Sequence, residues 1–227
     1  MNNWLHPLLI AELRFEPLVQ VYRSEWVAEL VAALVGRGLR PLMSDALSGV
    51  HVFQDPAADS STAPARRVEL TLEHCVLGMA QPAGAGLLYN ALTDLWEGIA
   101  LVRNAAKATR LGVRGFWFMD LPQEAYRQRM QRVVQLVGFF QQGSLDWVRV
   151  SLGAAPSTGL LVAYATLNTQ LLQVTPQWAR LVPLPATHGL LLDADTYWER
   201  SLGSLEDLLN THSRVVTQCQ EALGHAD

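Results

Sequence analysis

The chain lacks most of the features that announce a chemistry. It has 227 residues and only two cysteines, Cys75 and Cys219, far apart in sequence. A secreted disulfide scaffold needs more, so two reduced, buried thiols in a cytosolic protein are the simplest reading. Neither thiol sits in a motif that marks an activated thiolate. There is no Cys-x-x-Cys or His-x-x-x-His. His74 and Cys75 are neighbours on a predicted strand and point to opposite faces. His212 and Cys219 are seven residues apart on a predicted helix, about 10 Å along its axis, too far for one ion. The sequence therefore predicts no metal and no cofactor. No Gly-x-Ser-x-Gly elbow occurs. Gly84-Ala85-Gly86 lacks the rest of a dinucleotide fingerprint and the Lys-Ser/Thr of a P-loop. Charged residues make up 17% of the chain, the formal net charge is -4 and the pI is near 5.9. Such a balance argues against nucleic acid as a partner. No uncharged apolar run reaches the roughly 18 residues of a membrane span. The opening MNNWLHPLLIAELRFEP has no basic n-region and meets Glu12 and Arg14 early, unlike a signal peptide. A cytoplasmic location with no membrane association is expected.

What the chain has is apolar material in periodic order. Half of it is hydrophobic, enough for one large domain. The centre of the pattern is Ala108–Leu121, ATRLGVRGFWFMDL. Read as a strand, it places Leu111, Val113, Trp117 and Met119 on one face and Arg110, Arg114, Phe116, Phe118 and Asp120 on the other. Large apolar groups on both sides suit a central strand covered on both faces. Gly112 and Gly115 leave room for a close neighbour or a bulge.

Around this strand the spacing predicts further elements. Leu8–Phe15 reads as a strand between Pro7 and Pro17, with Glu12 and Arg14 on one side. Tyr22–Val35 reads as a helix with Ser24 as its N-cap. Leu47–Phe53 and Arg66–Met79 read as strands of a hairpin around the loop Gln54–Ala65. Gly86–Lys107 carries a stripe of Leu88, Leu92, Leu95, Ile99 and Val102 and reads as one helix, with close packing at Gly98. Pro122 opens another helix to about Phe140, with Tyr126, Met130, Val133, Val137 and Phe140 on its stripe; Arg127, Arg129 and Arg132 form a solvated face. Asp146–Leu152, the nearly uncharged Leu160–Val174 and His188–Asp195 read as strands. A last helix begins at Ser204, with Asp207 completing a weak capping box, and runs to about Leu223. His212 on its apolar stripe reads as a hydrogen-bonded core histidine. Strands outnumber helices and do not alternate with them one for one. The expected fold is α+β: a largely antiparallel sheet with helices packed on one face. It is a single domain over residues 1–227, with a hint of duplication into halves 1–142 and 143–227.

Several of these segments together resemble a sporadically distributed, uncharacterised family of bacterial proteins. They are HPLLIAELRF, RLGVRGFWF at Arg110–Phe118, LLLDAD at Leu190–Asp195 and SLEDLLNTHSRV at Ser204–Val215. The family pattern falls on Glu12, Arg14 and Phe15, on Arg110, Gly112 and Arg114, on Asp193 and Asp195, and on His212. Gly115 and Phe116 depart from it, standing where the family tends to have tyrosine and a polar residue. The resemblance implies a fold organisation more than an activity. The family's patchy distribution implies a role in mobile clusters, such as defence, toxin-like systems or natural-product operons.

Four residues are the site candidates: Arg110, Arg114, Asp193 and Asp195. An arginine near a covered sheet must find a carboxylate, a phosphate or backbone carbonyls. Both arginines share a strand face, as do both aspartates. They can pair with each other, which accounts for both oddities at once. Alternatively the arginines can face an anionic ligand or a partner's carboxylate, with the aspartates free for Mg²⁺ or proton transfer. The leading expectation is a non-enzymatic interaction subunit that binds a protein partner or itself, with Leu160–Val174 offering a sheet edge or interface. The alternatives are an accessory subunit of a peptide-modifying enzyme encoded in the same operon, and a small anionic-ligand-binding or metal-assisted enzyme.

Overall fold

The thirteen residues Ala108–Asp120 form strand β6, which lies near the middle of a nine-stranded sheet. The structure is a computed structural model, and it describes residues 4–56, 65–80, 85–137, 147–152, 156–166, 188–199 and 203–224. The remaining strands are β1 (Leu5–Phe15), β2 (Arg40–Asp45), β3 (Val50–Gln54), β4 (Ala65–Leu70), β5 (His74–Ala80), β7 (Trp147–Leu152), β8 (Ser157–Thr166) and β9 (His188–Glu199). Their order is β2-β3-β4-β5-β1-β6-β9-β8-β7, and each neighbouring pair is antiparallel. The fold class is α+β, as the strand-rich pattern predicts. Strands from both ends of the chain join one sheet, because β6 pairs with β1 on one side and β9 on the other.

Besides a one-turn 3₁₀ helix at Val19–Tyr22, the described chain has five α-helices: α1 (Ser24–Val35), α2 (Ala85–Gly98), α3 (Ala100–Ala105), α4 (Gln123–Val137) and α5 (Leu205–Gly224). They pack on one face of the sheet. The strands give that face alternate residues: Leu9, Ala11 and Leu13 of β1, Leu77 and Met79 of β5, and Leu111 and Val113 of β6. Leu30 and Leu34 of α1, Leu92 and Leu95 of α2, and Leu208 of α5 are fully buried in the same cluster. Farther along the sheet, Trp117, Leu192 and Ala194 meet Val215 and Val216 of α5, and Met119 and Leu190 meet Tyr126 and Met130 of α4. Burial of a large aliphatic side chain contributes about 1.5–3 kcal/mol, so this interlayer core is the main stabilising contact. The opposite face carries a smaller cluster of Leu8, Ile10, Phe116, Phe118 and Leu191. Both faces of β6 are thus apolar toward its C-terminal end.

Three devices fix the helix layer. Gly98 sits where an added Cβ would approach Arg37 Cδ to 2.9 Å and Leu34 Cδ2 to 3.2 Å, so the glycine lets α2 close on the end of α1. Ser204 Oγ accepts from the Asp207 amide at 3.0 Å, capping α5. Arg129 on α4 donates to the Leu223 carbonyl at 2.8 Å, satisfying an otherwise orphan group in the last turn of α5.

The structure corrects several expectations. Arg66–Met79 is two strands, not one. Thr71 Oγ1 accepts from the amides of Glu73 and His74 at 3.3 Å, making a turn that resets the alternation. The helix over Gly86–Lys107 breaks at Ile99 into α2 and α3. Ser24 is the first residue of α1, not its cap; Arg23 holds the cap position with no side-chain hydrogen bond. Arg129 is no member of a solvated face. Strand β2 was not foreseen, because RPLMSD has no two-residue alternation and is exposed over most of its length. The expected edge within Leu160–Val174 is not one over its described part: β8 has partners on both sides, β7 and β9. Residues 57–64 of the Gln54–Ala65 loop, and 167–187 with the end of that segment, lie outside the described residues, as does 138–140 of the helix expected to reach Phe140.

Candidate functional site

The strand alternation that buries Leu111 and Val113 under the helices sends Arg110 and Arg114 to the opposite face. Neighbouring strands supply carboxylates there: Glu12 on β1, directly across from Gly112, and Asp193 and Asp195 on β9, across from Phe116 and Arg114. Arg114 leans along the sheet to Asp193 and binds it in two places, Nε to Oδ1 at 2.8 Å and Nη2 to Oδ2 at 2.6 Å. A parallel fork of this kind is the strongest arrangement available to the two groups. The guanidinium also lies 5.1 Å from the centroid of the Phe116 ring. The hydrogen bonds to Asp193 hold the Arg114 pKa above its ordinary value, against the opposing effect of burial.

Arg110 reaches in the other manner, sideways across Gly112. Its Nη1 donates to Glu12 Oε2 at 2.9 Å and its Nη2 to Asp195 Oδ2 at 3.1 Å. Gly112 makes the crossing possible: a Cβ there would stand 3.2 Å from Arg110 Nη1 and 3.3 Å from the Tyr197 Cβ. Tyr197 forms the floor, its ring centroid 4.6 Å from Arg110 Cζ. Glu12 extends the array outward by pairing Oε1 with Arg14 Nε at 3.0 Å. That bond raises the Arg14 pKa. Three carboxylates therefore meet three guanidiniums, and the formal charge cancels.

The cancellation is uneven. The Asp193 side chain is 6% exposed, and its partner Arg114 37%. Asp195 is 35% exposed and, among the described residues, has a single side-chain bond, from Arg110. Burial raises its pKa above the usual carboxylate range, and the charges of Arg110 and Arg114 only partly offset this. Beside it lies a groove of about 320 Å³ lined by Arg114, Asp193, Asp195, Tyr197 and the β8 residues Gly159, Leu160 and Leu161. A Cβ on Gly159 would meet nothing within 4 Å, so β8 leaves the groove unfilled there.

All four residues singled out from the sequence are thus brought into one array. Arg110 lies outside the groove lining; the other three are in it. Glu12, Arg14 and Tyr197 belong to the array without having been singled out as site residues. The available signal was that Glu12 and Arg14 share a strand face, and that two arginines beside two aspartates left room for a third carboxylate.

Two other groups lie within the core. His212 is fully buried, with Nδ1 3.0 Å from Thr196 Oγ1, which in turn accepts from Thr158 Oγ1 at 3.2 Å. Burial depresses its pKa to about 3, so the ring is neutral at neutral pH. The Cys75 thiol is buried and pushed up to about 12, which leaves it an inert thiol. Among the described residues no group of three or more His, Cys, Asp or Glu side chains is placed to hold a metal ion. Among them also, no helix is long and apolar enough to cross a membrane. Compared with known proteins, the chain matches no protein-family model and no curated sequence.

Proposed function

We propose that this protein is a non-enzymatic interaction subunit that binds a protein partner or a second copy of itself. The observation that carries the reading is where the apolar surface lies. Among the described residues the exposed large apolar side chains are Val19, Tyr22, Val35, Leu42, Met43 and Leu47, all within one stretch of chain. That stretch surrounds β2, an outermost strand of the sheet. Leu42 and Met43 lie on the strand itself and Leu47 in the turn that follows it, and exposed apolar groups on an edge strand suit association. The charge array supports the same reading from the other direction, since its guanidiniums are already bonded to carboxylates of the same chain. The test is the mass and composition of the complex recovered gently from native cells through a tagged copy. A stoichiometric complex, homomeric or heteromeric, is the expected result; a lone monomer overturns the reading.

A second reading has one observation in its favour, the groove beside Asp195. A small ligand could lodge there, using the carboxylate oxygen that Arg110 leaves free and the Nη1 of Arg114. Soaking with small carboxylates, phosphates and amines while following the Arg114 and Asp195 resonances by NMR separates the two. Shifts confined to the groove favour the ligand site.

A further inference from the structure

We infer that the partner at this edge is a second copy of the chain, joined through an antiparallel pairing of the two β2 strands about a two-fold axis between Leu42 and Met43. The inference rests on the interaction reading above and names its partner.

The basis is the register of β2 against β3. Arg40 and Pro41 pair with Gln54 and Phe53, whereas Met43, Ser44 and Asp45 pair with Val52, His51 and Val50. The register therefore slips by one at Leu42, a β-bulge. In an unbroken strand, residues five apart point to opposite faces. With the bulge between them, Arg40 and Asp45 fall on the same face, the one shared by Gln54 and Val50. Pro41 and Ser44 likewise share the other face, that of Phe53 and His51, where Ser44 Oγ contacts His51 Nδ1 at 3.0 Å.

This matters because a two-fold antiparallel pair needs directly opposed residues on the same face. Centring the axis between Leu42 and Met43 opposes Arg40 to Asp45 of the second copy, Pro41 to Ser44, and Leu42 to Met43. The bulge is what makes that register allowed. The two exposed apolar residues of the strand meet at its centre, and two Arg–Asp pairs close its ends. Arg40 makes no ion pair among the described residues, so it is available. Asp45 is half-buried, and the turn occupies it with bonds from the amides of Leu47 at 2.9 Å and Ser48 at 3.3 Å, which leave acceptor sites on both oxygens. Tyr22 lies against this turn, with its Cε1 2.8 Å from a Cβ added at Gly49. Its exposed ring therefore flanks the joint. Pro41 lacks an N–H and the strand is six residues long, so the association is weak and concentration-dependent.

The experiment is sedimentation equilibrium of the purified full chain over a wide concentration range, with two charge variants. The wild type is expected to show a reversible monomer–dimer equilibrium. Arg40→Glu opposes two acids and Asp45→Lys opposes two bases, so each alone is expected to dimerise at least tenfold more weakly. An equimolar mixture of the two restores both pairs and is expected to recover the dimer. Because Asp45 also caps its turn, each variant is checked by circular dichroism. If Asp45→Lys is misfolded, Leu42→Lys takes its place as a variant expected to be monomeric. A wild type that stays monomeric throughout, single variants that dimerise like wild type, or a mixture of folded variants that does not recover overturns the inference. The pull-down then separates the two levels. A monomer in isolation that still forms a heteromeric complex in cells removes the self-pairing and leaves the interaction reading. A monomer in both removes both.

Discussion

Strands β6 and β2 belong to the same sheet and both carry arginine, yet they treat it in opposite ways. On β6, Arg110 and Arg114 are held by Glu12, Asp193 and Asp195 from the strands on either side. On β2, Arg40 has one neighbouring strand among the described residues, and no acid of β3 opposes it. Position in the sheet accounts for the difference. A central strand can recruit carboxylates from two sides and must do so, because its cations are partly withdrawn from water. An edge strand keeps its cation hydrated and its backbone half unpaired. Internal electrostatics and external binding are thereby assigned to different parts of one layer.

The contrast can be broken most forcefully at Arg114. Arg114→Met strands the buried Asp193 without its counter-ion and is expected to remove about 3 kcal/mol of stability by urea denaturation. Arg110→Met is expected to cost about 1 kcal/mol, because Glu12 keeps Arg14 and Asp195 retains access to water. The uneven neutralisation can also be sharpened with pH. The Asp195 pKa is raised in the fold, so the native state binds its proton more readily than the unfolded chain does. That group's contribution is greatest below the unfolded carboxylate pKa and is lost as pH rises through the folded one. Denaturation at neutral pH and near pH 4 is therefore expected to show wild type gaining on Asp195→Asn as the solution is acidified. The smallest effect belongs to the edge. Leu42→Lys, at a residue 66% exposed, is expected to leave monomer stability within about 0.5 kcal/mol of wild type. A large loss there would mean that β2 is no simple edge.

How far the sequence is legible follows the same division. The span of β6 and its two faces can be read from ATRLGVRGFWFMDL because burial on both sides leaves a mark at every position. The apolar stripes of the helix layer can be read for the same reason, with the close approach at Gly98 and the cap at Ser204, but not the break at Ile99 or the start of α1, which leave no gap in the stripe. β2 cannot be read, since an exposed strand with a proline and a bulge carries no alternation to detect. The turn at Thr71 is hidden because apolar residues continue on both sides of it. The co-location of Arg110, Arg114, Asp193 and Asp195 is anticipated by charge alone. The part played by Glu12 is not, because it depends on which strand is placed beside β6, and strand order is a tertiary fact. Gly112 is legible as a gap but not as the passage through which Arg110 reaches its two acids.

The location of β1 between β5 and β6 has a kinetic side. The bond between Arg110 and Glu12 spans 98 positions of the chain. At ribosomal speeds of roughly 5–20 residues per second, β1 is finished about 5–20 s before that arginine has even been added. Until then one long margin of an apolar strand has no β6 to zip against, and sequence-distant pairings of this sort are slow to form. Newly made chains should thus pass through a vulnerable interval in which chaperone occupancy, rather than final stability, decides the yield.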